Sequence, residues 1–381
     1  MRSETIGSKP SLLYVTPVLP STAGSGLAMR SGAVLEALSE HYRVSALVAS
    51  IYPALDGEQF LRERCHRVEF VPASSNSQDA IRKAGEAYQH ESFDTVHVFR
   101  LAAVPFAKPY FKGIEPRPAL HLDLDDIESK ANRRLAGVYR SSGDEPMARR
   151  AEMLAQRSLL LESAAFQLFD RVYVCSESDR QQLAERCRAE IRVLKNAVRL
   201  PDLVRPPKDD ATFGFLFVGT LGYYPNKDAV RFFCTQVLPL IRQQAPKPFI
   251  VRIVGSGHSE DLLDLNAADV KVIGPVAQVG PWYEASHAVI VPVRTGGGTR
   301  IKILEAFSYL RPVISTTVGA EGIDATPNRH VLIADTPEAF ASECVRLMCD
   351  SQLAQKLVEN ASSLVAESYS VAALKQIVSA D

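Results

Sequence analysis

Short apolar runs alternate with helical patterns from one end of the chain to the other. Ser11 to Thr16 (SLLYVT) reads as a buried strand. A loop with Pro17, Pro20, Gly24 and Gly26 follows. Then come a helix from Leu27 to His41, with Met29, Val34, Leu35 and Leu38 apolar, and a strand at Val44 to Ala49. Further strands are expected at Arg67 to Val71, Thr95 to Phe99, Ala119 to Leu122, Arg171 to Cys175 and Ile191 to Leu194. Helices are expected at Gln78 to His90 and Ser178 to Arg188. An arginine-rich helical region runs from about Ser129 to Phe169, with a break near Ser141 to Asp144. Leu200 to Thr212 (LPDLVRPPKDDAT) interrupts the alternation and reads as a linker.

The alternation then restarts. Strands are expected at Gly214 to Val218, Phe249 to Val254, Val270 to Ile273, Ala288 to Val293, Pro312 to Ser315 and Val331 to Ile333. Helices are expected at Lys227 to Gln244, Gly280 to Ala285, Ile301 to Leu310, Pro337 to Cys349, Ser351 to Glu367 and Val371 to Ser379. Strands interleaved with helices predict an α/β fold with mainly parallel sheets, here two doubly wound domains. In such sheets ligands bind beyond the carboxyl ends of the strands. The candidate polar clusters are placed there: Gly24 to Arg30, His97 to Arg100, His121 to Glu128, Ser176 with Glu177, Lys195 with Asn196, Gly219 to Lys227, Gly255 to His258 and Thr295 to Arg300. Two such edges facing one another would form a cleft.

The stretch Val291 to Ser315 concentrates the chemistry. A strand leads into Gly296, Gly297 and Gly298, then Thr299 and Arg300, then a helix whose Ile301, Ile303, Leu304 and Phe307 are apolar. Glycines let backbone N–H groups approach a ligand, and the start of a helix carries unpartnered N–H groups and partial positive charge. That combination suits a phosphate, with Arg300 and Lys302 adding formal charge. Glu305 lies too far into the helix to cap it and could accept bonds from ribose hydroxyls. A glycine turn that serves packing alone, with Glu305 solvated, remains open at this point.

Composition narrows the class. The 381 residues exceed one core, and 46% hydrophobic with 23% charged residues is ordinary for a globular protein. A net charge of -1 gives no basic excess to argue for nucleic acid. Six cysteines form no Cys-x-x-Cys pair and read as reduced thiols. No apolar run is long enough for a signal peptide or a membrane span, so a cytoplasmic protein is expected, with peripheral attachment to the inner face of a membrane left open.

Other motifs keep competing readings. Gly219 to Asp228 (GTLGYYPNKD) could cradle a phosphate with Lys227 as the charge, or contain only an Asn cap and a surface lysine. Gly255-Ser-Gly257-His258 hints at dinucleotide binding but lacks the full fingerprint. His121 to Glu128 (HLDLDDIE) could cap a helix, contact an acceptor, act in catalysis or bind a divalent metal. Gly24-Ser-Gly26 with Arg30 repeats the glycine device near the start. His97 reads as a structural histidine, and Trp282 with Tyr283 would pack or stack near the cleft. No P-loop, nucleophile elbow or His-x-x-x-His occurs.

Taken together, the residues resemble a family-4 retaining glycosyltransferase (glycosyl transferases group 1) with the two-domain GT-B fold. The resemblance covers nearly the whole chain and is strongest from Phe215 to Gly322, in FVGTLGYYPNKDAV, VRIVGSG, VKVIGPV and PVRTGGGTRIKILEAFSYLRPVISTTVGAEGI. The first half matches more loosely, through PVLPSTAGSGLAMRSGAVLEALSEHYRVSAL, DLDDIES and VCSESDRQQL. It implies an acceptor-binding domain (1–204), a nucleotide-sugar domain (205–366) and a final helix (367–381) crossing back onto the first domain. By resemblance Glu305 bonds the ribose, and Thr295 to Arg300 hold diphosphate and sugar. Donor contacts fall to Gly24, Gly26, Arg30, Gly219, Thr220, Lys227, Gly296, Gly297, Gly298, Thr299, Arg300 and Lys302. Thr220 stands where Arg is common, and the first Glu of the family's paired-glutamate motif falls on Gly297. Asp123 or Asp126 lies where many relatives place a His. Those two, with Lys227 and Arg300, are the catalytic candidates. The implied reaction is front-face displacement with retention, from a UDP or GDP sugar to a hydroxyl of a glycan, lipid-linked or small-molecule acceptor in cell-surface polysaccharide or glycoconjugate synthesis. No cofactor or metal is implied. A GT-B nucleotide-sugar epimerase and a catalytically silent sugar-nucleotide-binding partner are the alternatives.

Overall fold

The computed structural model describes residues 9–50, 58–72, 78–111, 116–207, 211–257 and 259–379. The motif residue His258 and linker residues 208–210 lie outside the described residues. The first part of the chain runs β1 (Ser11–Thr16), α1 (Gly26–His41), β2 (Arg43–Ser50), α2 (Glu58–Arg64), β3 (Arg67–Pro72), α3 (Gln78–Ala87), β4 (Thr95–Phe99) and α4 (Val104–Ala107). It continues with β5 (Ala119–Asp123), α5 (Glu128–Ser141), α6 (Glu145–Ala165), β6 (Arg171–Val174), α7 (Glu177–Ala184) and β7 (Glu190–Val193). The seven strands form one parallel sheet in the order β3-β2-β1-β4-β5-β6-β7.

The second part runs β8 (Phe213–Val218), α8 (Tyr224–Phe232), α9 (Leu238–Gln244), β9 (Phe249–Val254), β10 (Val270–Gly274), α10 (Gly280–Glu284) and β11 (Ala288–Val291). Then follow α11 (Ile301–Ser308), β12 (Val313–Ser315), α12 (Thr317–Ala320), β13 (Leu332–Ile333), α13 (Pro337–Cys349), α14 (Ser351–Ser368) and α15 (Val371–Ser379). Its six parallel strands are ordered β10-β9-β8-β11-β12-β13.

Two compact units result. The first draws on Met1–Ile127, Arg157–Asn196 and Val371–Asp381, the second on Glu128–Gln156 and Ala197–Ser370. α15 packs on α1 in the first unit, where the Lys375 amine reaches Glu36 at 3.2 Å and Glu40 at 2.6 Å. α5 and the start of α6 pack within the second, around Ala136, Tyr139, Ala148 and Ala151, with Tyr139 against Tyr224 at 4.5 Å.

Two local expectations change. The helix expected from Lys227 to Gln244 is continuous but widens into a π-turn at Phe233–Val237, between α8 and α9. Pro239 lies in the first turn of α9 and lacks the N–H that would continue the ladder. His97 and His121 do not lie beyond the strand ends. They sit inside β4 and β5 and are buried, because the apolar central sheet accepts neutral imidazoles that stack. His97 stacks between Tyr14 at 5.5 Å and Tyr173 at 5.6 Å, with His121 edge-on at 6.1 Å. Burial pushes both imidazoles down to about 3, so they are neutral at physiological pH.

Glycines fix two close approaches. A Cβ on Gly32 of α1 would lie 2.2 Å from the Ser21 carbonyl oxygen, so the loop after β1 can lie on α1 only because that atom is missing. A Cβ on Gly255 would lie 1.7 Å from the Gly219 carbonyl oxygen. Gly255 therefore serves backbone packing between the turns that end β8 and β9, which accounts for its glycine without a dinucleotide. We expect Gly255→Ala to destabilise the second unit by about 3 kcal/mol or more, the upper range for overpacking. Urea denaturation of wild type and variant side by side checks this. An unchanged midpoint would show that the two turns separate easily.

Candidate functional site

Each sheet reverses its strand order once, between β1 and β4 in the first and between β8 and β11 in the second. Loops leaving the strands on either side of such a reversal diverge and leave a crevice. In the second unit these loops are the Gly219 turn after β8 and Thr295 to Arg300 after β11.

The glycine loop is built for this position. Gly296 and Gly298 take φ of 113° and 62°, a conformation that strains any residue with a Cβ. Gly296 is buried, whereas Gly297 and Gly298 are partly exposed. Arg300 occupies the N-cap of α11 without a side-chain cap bond, and no acid lies in the first turn. By contrast, α13 is capped by Thr336 and α14 by Asp350. Arg300 folds back, donating to the Gly297 carbonyl and, at 2.6 Å, to the Gly298 carbonyl. It thus ties the loop to the head of α11. Thr299 and Thr295 are buried, and the Thr295 hydroxyl has no hydrogen-bond partner among the described residues.

Lys302 reaches across to the other loop. Its amine donates to Asn226 Oδ1 at 2.7 Å and lies 4.3 Å from the centre of the Phe217 ring. It also stands 2.7 Å from where a Cβ of Gly219 would be. Gly219 is therefore the residue that admits the amine. Burial, with the nearby Arg300 guanidinium, lowers the Lys302 amine to about 7.

Glu305 sits one turn further on, partly buried. The Tyr283 hydroxyl donates to its Oε2 at 3.4 Å. Burial raises the carboxyl to about 7, against the opposing pull of that hydroxyl and of Lys302. Tyr283 is itself buried and stacks on Tyr309 at 5.0 Å, with the planes 7° apart. It is thus held as a fixed support for Glu305. Trp282 is partly exposed.

The loop is also held by α5. Arg134 donates to the Gly296 carbonyl at 3.2 Å and grips both carboxylate oxygens of Glu321, and Lys130 reaches Glu321 at 3.1 Å. Burial favours the neutral acid, but the two cations overcome it and hold Glu321 down at about 2. Lys227 pairs with Asp261, and the Thr220 carbonyl accepts from Asn226 at 2.9 Å.

In the first unit the Gly24 to Gly26 loop is exposed, Gly24 has φ of 99°, and Ser25 caps α1. Arg30 points inward and is 1% exposed. It donates to both oxygens of Asp123, at 2.8 and 3.1 Å, and to Leu194 O and Asn196 Oδ1. Asp123 is fully buried at the end of β5, with Asp125 at 3.4 Å from Arg30 Nε. Asp125 has φ of 56°, accepts the Cys175 thiol at its backbone oxygen and also faces Arg100. Asp126 is partly exposed. Among the described residues no group of three or more His, Cys, Asp and Glu side chains is placed to hold a metal ion. The six cysteines are free thiols.

Local pattern does not reveal Arg134 and Glu321, which are 187 residues apart. Asn226 reads as a helix cap, yet Tyr223 holds the cap position and the Asn226 amide bridges Lys302 and Thr220.

Residues 212–350 match the family model described as glycosyl transferases group 1. A curated relative is an uncharacterised 44.6 kDa protein in the cps region of Klebsiella pneumoniae, 25% identical over 162 residues. That match takes in 40% of this chain and spans 42% of the relative's length. Sucrose-phosphate synthase from Thermosynechococcus elongatus superposes with a TM-score of 0.74 at 16% identity, covering 98% of both chains. Anabaena HepE in complex with UDP-glucose gives 0.67 at 15% identity, covering 97% of this chain and 98% of its own. TarM gives 0.72 at 10% identity over 99% of each chain. The chain has the GT-B fold class of these structures, two Rossmann-like domains with parallel sheets of seven and six strands.

The buried Arg30–Asp123 pair should be expensive to break. Arg30→Met would leave a carboxylate buried without its partner and should cost about 3–5 kcal/mol by chemical denaturation. Arg30→Met with Asp123→Leu should recover much of that loss. Equal losses in the single and double variants would show that packing, and not the uncompensated charge, sets the cost.

Proposed function

We propose that this protein is a retaining glycosyltransferase that moves a sugar from a nucleoside diphosphate sugar to an acceptor hydroxyl, in the making of a cell-surface polysaccharide or glycoconjugate. The observation that carries the reading is one cluster. A glycine loop, an uncapped helix start, a lysine amine and a partly buried carboxylate converge at the strand-order reversal of the second sheet. The group 1 match over the same residues supports it, and UDP or UDP-glucose bound to Anabaena HepE favours UDP as the donor nucleotide. The relative in the cps region supports the polysaccharide role.

In this reading Glu305 accepts the ribose hydroxyls, while the α11 amides and Lys302 take the diphosphate. Arg300 and Arg134 hold the glycine loop in shape. The bond from the anomeric carbon to the diphosphate oxygen breaks, and a bond to the acceptor oxygen forms on the same face. The acceptor proton passes to the leaving diphosphate. Charge developing on that oxygen is what Lys302 and the loop would stabilise. Of the two acidic candidates, Asp123 and Asp126, only Asp126 is partly exposed, and it is the acceptor-side candidate. Asp123 and Arg30 position the end of β5. Lys227, paired with Asp261, would reach a phosphate only by exchanging that partner. No metal is needed where cationic side chains and amides meet the diphosphate.

UDP, GDP, dTDP and CMP should be compared in a thermal-shift assay. One of them should stabilise the protein, by about 2.7 kcal/mol at a ligand concentration a hundredfold above Kd. Glu305→Ala should abolish the effect. Failure of all four to stabilise folded protein would remove the donor-site assignment.

Binding should also move protons, with opposite sign on the two sides of neutrality. A bound diphosphate raises the Lys302 amine above about 7, so at pH 8 binding takes up a proton. Ribose hydroxyls donating to Glu305 lower its carboxyl below about 7, so at pH 6 binding releases one. Calorimetry in buffers of different ionisation enthalpy reads both. Lys302→Arg should erase the uptake and Glu305→Gln the release. Proton exchange unchanged in these variants would place the titrating groups elsewhere.

A further inference from the structure

Eleven large hydrophobic side chains are exposed among the described residues, and four of them lie on α6: Met153, Leu154, Leu160 and Leu161. Their exposures are 65%, 42%, 72% and 51%. α6 is one unbroken helix of 21 residues, so its own periodicity fixes which positions share a face. At roughly 100° per residue the four fall within one arc of about 120°, on the side away from the buried Ala148, Ala151, Ala155 and Ser158. Arg150 and Arg157 project within the same arc and Arg149 at its edge, and all three are exposed. The acids of the helix lie off that arc. Glu145 flanks it and pairs with Arg149 at 3.3 Å, Glu152 is partly buried, and Glu162 is buried against Arg186.

An apolar stripe lined by arginines has a specific complement. A purely solvated face would not spend four large aliphatic side chains on water. Apolar side chains that enter an acyl boundary, with guanidinium groups at headgroup level, match an anionic bilayer in both depth and charge. Among the described residues no helix is long and apolar enough to cross a membrane, so the helix would lie along the surface.

We propose that the outer face of α6 is a docking surface for an anionic lipid bilayer. Met153, Leu154, Leu160 and Leu161 insert between headgroups, and Arg149, Arg150 and Arg157 engage their phosphates. Such docking would bring the protein to lipid-borne acceptors. It needs no donor nucleotide, so its failure would leave the glycosyltransferase reading intact.

The test is co-sedimentation of the full chain with vesicles. One set is pure phosphatidylcholine, and another is equal parts phosphatidylcholine and phosphatidylglycerol. Binding to the second set alone, weakening as salt is raised, is the expected result. Leu160→Ser with Leu161→Ser should reduce it about tenfold or more, and each Arg→Gln change at 149, 150 or 157 by about fivefold. These positions are exposed, and thermal melts should confirm that the variants fold. Absence of binding to anionic vesicles, or equal binding by the serine variant, would overturn the proposal. So would concentration-dependent self-association in gel filtration that the same serine variant abolishes, which would make the face a contact between copies.

Discussion

The second unit depends on the absence of two Cβ atoms. The Gly219 carbonyl occupies the space a side chain at Gly255 would need, and the Lys302 amine occupies the space one at Gly219 would need. The turns after β8 and β9 can then lie backbone to backbone. Lys302 from α11 can cross to Asn226 and the Phe217 ring. The amine loses water in doing so, and that loss brings its pKa down to about 7. A steric vacancy of one methyl group is thus converted into an electrostatic property of the site.

The supports of this cluster come from distant parts of the chain. Tyr283, stacked on Tyr309, backs Glu305 from α10. Arg134 backs the glycine loop from α5 and is itself fixed by Glu321. A site built on a glycine loop has little intrinsic stiffness, because glycine has the most backbone freedom and loses the most on ordering. Here the stiffness is supplied by hydrogen bonds to the loop carbonyls from Arg300 and Arg134.

Elements with a strong local signature could be read from the sequence. The β8–α8 and β11–α11–β12 units announce themselves by an apolar run, a glycine turn and a helical period, and these place Gly219 and Gly296 in the turns after β8 and β11 and Glu305 on α11. What depends on distance could not be read. Arg30 looks like one more cation beside a glycine loop, and only the sheet shows that it faces Asp123, 93 positions away. Glu321 likewise carries no mark of its partner on α5. The helical period of Lys227 to Gln244 concealed the π-turn at Phe233–Val237, which precedes Pro239.

The Tyr14–His97–His121–Tyr173 ladder has a consequence for how the first sheet finds its alignment. Tyr14 is paired with His97, and His97 with His121, by strand register. Neither ring nitrogen of His97 has a hydrogen-bond partner among the described residues, so the imidazole is tolerated through its faces alone. Sliding β4 by one residue would turn His97 to the opposite side of the sheet and set Val96 or Val98 against Tyr14. The valines of these strands are nearly interchangeable as neighbours, whereas the ring stack exists in one alignment only. The polar residues in the middle of an apolar sheet act as an index mark, by which otherwise similar strands are told apart.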